Sequence, residues 1–163
     1  MLEGWNDFFV AEAGAAAALA GLLFVAVSIN LSRILEYANL PLRIIESLAA
    51  FITVLFAASF ALVPHQAAWT LGAEIAATGV TLLVINFIAL QADLKHSPAM
   101  RGSGARRVWR ILANQAPPLP FIAGGVLLAL GQESGAYWLL PGTLLCFLSG
   151  LFGAWVLLIE IQR

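Results

Sequence analysis

The chain has 163 residues, 61% of them hydrophobic and only 10% charged, with a mean hydropathy of +0.92. Soluble domains carry about 25% charged residues, so a water-exposed surface is excluded, and five spans of about 20 residues would use nearly the whole length. The net charge of −1 gives no support to nucleic-acid binding, and a single cysteine, Cys146, excludes an intrachain disulfide or a cysteine metal cluster.

Apolar runs of spanning length are expected to be transmembrane helices. The first covers roughly residues 8–31. Met1-Leu2-Glu3-Gly4 supplies no basic n-region, so this run reads as a retained span and not as a cleaved signal. Gly14, Ala18, Gly21, Val25 and Ser28 share one of its faces, and small residues there permit close helix approach, which drives association where lipid offers no hydrophobic effect. Glu12 falls almost opposite that face.

The second span is expected at 44–63, with Arg43 and Glu46 three residues apart at its start, a spacing suited to a pair at the membrane boundary. The third is expected at 67–90, where Thr70, Glu74, Thr78 and Thr81 share a face. Glu74 lies roughly 10 Å inside the end of that helix at 1.5 Å per residue. A polar, basic loop follows at 91–110.

The fourth span, 111–130, contains Asn114, Gln115, Pro117, Pro118 and Pro120. Either the prolines kink a spanning helix, or 108–115 is a short interfacial helix and the span begins at the proline cluster, whose missing N–H groups suit a first helical turn. The fifth span, 137–161, carries a second small-residue device in Gly142, Cys146 and Gly150.

The basic residues orient this all-α, polytopic bundle, a single domain over 1–163. Arg33 and Arg43 lie between the first two spans; Lys95, Arg101, Arg106, Arg107 and Arg110 lie between the third and fourth; Arg163 ends the chain. Five spans with the N-terminus outside and the C-terminus cytoplasmic place all eight on one side, as the positive-inside bias requires. Trp5, Phe8, Phe9, Trp69, Tyr137 and Trp138 then fall at the outer boundary, where aromatic belts form.

An intramembrane carboxylate must face the interior, hydrogen bond or become protonated. Glu12 and Glu74 therefore form the expected proton or small-cation site, with Thr70, Thr78 and Thr81 along the path; threonine hydroxyls bonded to their own helix would serve packing instead. Ser28, Asn30, Glu46, Asn86, Asn114 and Gln115 form an expected polar set at the cytoplasmic level. Lys95, Arg101, Arg106, Arg107 and Arg110 are expected on anionic lipid headgroups. His65 and His96 fall at opposite ends, so no metal or haem pair is expected, and neither a cofactor nor a catalytic constellation is read.

The stretch from Trp5-Asn6-Asp7-Phe8-Phe9-Val10-Ala11-Glu12 through Gly21-Leu22-Leu23-Phe24-Val25-Ala26-Val27-Ser28-Ile29-Asn30 resembles a group of small bacterial multi-pass membrane proteins. Some of these are labelled modulators of a membrane protease. The resemblance covers mainly the first span; it implies a bacterial plasma-membrane protein and supplies no catalytic residues. The first expectation is thus an oligomeric proton or small-cation channel or transporter, and not an enzyme. The second is a non-conducting adaptor that docks a partner membrane protein through the small face of the first span, and the third a lipid-interacting protein.

Overall fold

The computed structural model describes residues 4–36, 40–96, 108, 111–112 and 114–161, with side chains described outside 93–96 and 157–161. All regular structure among them is helical: α1 (Asn6–Ile29), α2 (Leu31–Glu36), α3 (Leu40–Ala61), α4 (Ala68–His96), α5 (Pro118–Ala129) and α6 (Gly135–Ile161). Four of these, α1, α3, α4 and α6, are long and apolar enough to cross a membrane.

The helix expected over 111–130 is interrupted. Pro117, Pro118 and Pro120 contribute no backbone N–H, so the ladder stops after Ala116 bonds Leu112 (2.9 Å) and restarts in the first turn of α5. What remains is a 12-residue apolar helix, shorter than a spanning helix, preceded by helical residues at 111–112 and 114–115. Its far end is firmly closed. Gly131, at φ +78°, bonds Leu128, and Gln132 bonds back to Leu127 at 2.9 Å, a Schellman arrangement that needs a left-handed residue at this position.

Helices α3, α4, α5 and α6 pack in a closed ring, each touching the next, and α6 returns to α3. Ile75, Leu82, Phe121, Leu128, Leu139 and Cys146 fill its interior. Neighbours run antiparallel. Gly72 meets Ala129 and Gly125, and Gly79 meets Ile122; Gly135 meets Gly124, and Gly142 meets Phe121; Gly150 meets Phe51, and Gly153 meets Ser47. Glycine at the α4–α5 and α5–α6 seams brings the helices to backbone contact, while Gly142, Gly150 and Gly153 make room for the side chains of Phe121, Phe51 and Ser47; van der Waals packing there replaces the hydrophobic effect.

Helix α1 stands outside the ring, against α3. It buries Phe9, Ala16 and Leu23, one residue every two turns, and only 11% of its apolar window is buried against 44% for α3. Two contacts secure it. Trp5 meets Tyr137 edge-on at 5.1 Å, beside Phe8 and Phe9. At the opposite end Val27 packs with Ile34, Leu40 and Ile44, through α2.

Candidate functional site

Glu12 on α1 and Glu74 on α4 lie on helices that both pack against α3. Glu74, half-buried on α4, accepts a hydrogen bond from Gln66 Nε2, a residue of the α3–α4 turn. It lines a groove of about 450 Å³ between α3 and α4, together with Thr53, Thr78 and Thr81. Thr78 Oγ1 donates to Ile75 O and Thr81 Oγ1 to Ala77 O, both at 2.8 Å, so each hydroxyl serves its own helix. Thr70 is half-buried and does not line that groove. Nor does Glu12, which sits on the packed side of α1, one turn from Phe9, with Oε2 enclosed and unpartnered among the described residues.

Gln66 was not among the expected site residues, yet its signal was present. Gln66, Thr70 and Glu74 recur every four residues, and such a stripe crosses from a turn onto the face of the following helix.

At the other end, part of the expected polar set is brought together. Asn86 Nδ2 on α4 donates to the backbone oxygen of Asn114 at 2.6 Å, and Asn114 Nδ2 donates to Glu46 Oε1 on α3 at 2.8 Å. The proline break produces this arrangement: the chain before α5 leaves the helix ladder, and its freed carbonyl and amide reach sideways to two helices. Asn114→Ala should therefore cost about 1 kcal/mol of bundle stability, between the averages for membrane and charged hydrogen bonds. Denaturant titration in mixed micelles measures it, and a cost near zero would make the bridge incidental.

Gln115 lies beside this bridge, and both its amide atoms are buried without partners among the described residues. Ser28 and Asn30 do not join. Ser28 Oγ donates to Phe24 O at 2.8 Å and Asn30 Nδ2 to Ala26 O at 2.9 Å, so both side chains bond carbonyls of their own helix. Arg101, Arg106, Arg107 and Arg110, and the side chain of Lys95, lie outside the described residues. His65 is exposed in the α3–α4 turn at φ +57°, and no group of metal-ligating side chains occurs among the described residues.

The small-residue faces divide into two kinds. Gly142, Cys146 and Gly150 are consumed inside the bundle, on Phe121, the core and Phe51. On α4, Gly72, Ala76 and Gly79, whose role the sequence had not suggested, take α5 at backbone contact through Gly125 and Ile122. On α1, Gly14, Ala18 and Gly21 repeat the α4 spacing, yet all three are exposed, and no atom lies within 4 Å of where a Cβ on either glycine would stand. Val25 and Ser28 extend the same exposed face.

Four spanning-length helices, with Ile29 76% exposed and Leu22, Phe24 and Trp69 each 67% exposed, define a helical membrane protein whose outer surface suits lipid and not water. Comparison with known protein families, with characterised proteins and with solved structures finds no match.

Proposed function

We propose that the protein is a membrane adaptor: a ring of four helices that holds α1 at its edge as a docking helix for a partner membrane protein. The observation that carries this reading is the pair of like-spaced seams. Gly72-Ala76-Gly79 receives a helix within the chain, while Gly14-Ala18-Gly21 faces outward with nothing on it. A partner helix with its own small face would gain on α1 the close approach that α5 gains on α4.

The same proposal takes five crossings, with the N-terminus outside and the C-terminus in the cytoplasm of a bacterial plasma membrane. Support comes from α4, whose stretch from Gly72 to Asn86, roughly 21 Å at 1.5 Å per residue, is matched from Ala129 back to Asn114 by α5 and the segment before it. Arg33 and Arg43 follow α1 and begin α3, at one end of the bundle, as the positive-inside bias asks.

A photo-crosslinking residue at Ala18 tests the adaptor reading in native membranes. It should yield a discrete protein adduct that disappears with Gly14→Leu and Gly21→Leu, whereas a probe at the buried Ala57 should yield none. Lipid adducts alone at Ala18 would remove the reading.

A second reading rests on Glu74, a half-buried carboxylate beside Gln66 at an interhelical groove: a proton or small-cation path. Glu74→Gln in liposomes should then cut flux at least about tenfold, the effect of one lost charge-assisted contact. Absence of flux from the wild-type protein would end this reading and leave the adaptor standing.

A further inference from the structure

Near the Asn86–Asn114–Glu46 bridge, a groove of about 670 Å³ opens between α3, the segment before α5, and α6. That volume is in the range of built small-molecule sites. Its wall is amphipathic in a defined order. Arg43 and Glu46, one turn apart on α3, line the end nearest the start of that helix, with Asn114 beside them. Leu145, Leu148 and Phe152 of α6 form the apolar side.

The α6 wall runs from Leu145 to Val156, roughly 16 Å at 1.5 Å per residue. One leaflet of hydrocarbon is about 15 Å deep, half of a 30 Å core. The groove thus has the length of one acyl chain, with its charged residues at one end.

We propose that this groove binds a membrane phospholipid with a zwitterionic phosphoethanolamine headgroup. Arg43 takes the phosphate, which a guanidinium matches with its forked donors. Glu46 takes the ammonium, and the acyl chain lies along Leu145, Leu148 and Phe152. The adjacent opposite charges argue for a zwitterion, because a purely anionic headgroup would meet the Glu46 carboxylate at close range. They also argue for a primary ammonium over a quaternary one. An –NH₃⁺ group donates hydrogen bonds to carboxylate, whereas a trimethylammonium is held by an aromatic cage, and among the described residues Phe152 is the single aromatic side chain on this wall.

The test reconstitutes the full chain in vesicles of equal phosphoethanolamine, phosphocholine and phosphoglycerol lipids with identical acyl chains. The protein is extracted in mild detergent, and retained lipid is quantified by mass spectrometry. Wild-type protein should enrich phosphoethanolamine lipid on the order of tenfold over phosphocholine, the scale of one charge-assisted contact. Glu46→Gln keeps an acceptor for Asn114 and should reverse the preference toward phosphoglycerol, because Arg43 then acts alone. Leu148→Trp fills the apolar side without touching a charge and should lower retention of all three. Retained lipid that mirrors the vesicle composition would overturn the proposal. So would an unchanged preference in Glu46→Gln, or a second copy of the chain retained in place of lipid.

Discussion

Gly125→Ala should destabilise the bundle by about 3 kcal/mol, the upper end of overpacking penalties, although it adds a single methyl group. The added Cβ would stand 2.5 Å from the Ala76 backbone nitrogen and 2.7 Å from the Gly72 carbonyl oxygen. Neither atom can rotate away, so α4 and α5 must separate along their seam, taking Ile122 off Gly79. Gly150→Ala should cost less. Its Cβ would approach the Phe51 ring at 2.5 Å, and a ring can tilt where a backbone cannot. Gly14→Ala should cost the isolated chain nothing, because no atom lies near that position. Unfolding by denaturing detergent, followed by tryptophan fluorescence, ranks the three; equal losses at Gly125 and Gly14 would show that the seam does not hold the bundle.

The same contrast yields the second large effect, in association and not in folding. Gly14→Leu with Gly21→Leu places two bulky side chains on the exposed face of α1. The unfolding curve should be unchanged, while α1-mediated association falls at least about tenfold, or 1.4 kcal/mol, because the closest approach of the helix axes is lost. A pair flanking that face on the same helix, Leu22→Ala with Phe24→Ala, removes apolar surface without blocking approach and should leave association intact. If the Leu22 and Phe24 changes weaken association as much as the glycine changes do, general apolar contact and not the small face is responsible.

Much of the architecture was legible in the residues. Apolar runs located the helices, because a chain that must satisfy every backbone group inside lipid has little alternative to a helix. The proline cluster offered two outcomes; in the structure a helix does begin at Pro118, but with 12 residues it is shorter than a spanning helix. Helix faces were harder to read. A membrane helix is apolar toward lipid and toward its neighbours alike, so periodicity does not distinguish the two sides. Gly14-Ala18-Gly21 and Gly72-Ala76-Gly79 have the same spacing, and only the packed structure separates the open face from the occupied one.

The polar residues divided in a similar way. Glu46, Asn86 and Asn114 meet because the proline break turns a backbone oxygen and an amide toward two helices, a rearrangement no regular helix would make. Ser28 and Asn30, on an unbroken turn, had their own carbonyls four residues back within reach. Glu12 and Glu74 share a depth in sequence, but α1 packs mainly on α3 while Glu74 faces the α3–α4 groove with Gln66.

The contacts that secure α1 limit how anything can meet it. With Trp5 against Tyr137 at one end, Ala16 buried on α3 in the middle and Val27 in the Ile34–Leu40–Ile44 cluster at the other, the helix is held against rotation and sliding while its Gly14–Gly21 face stays uncovered. A visiting helix would find one azimuth and one vertical register on offer, and its alignment would be decided before contact.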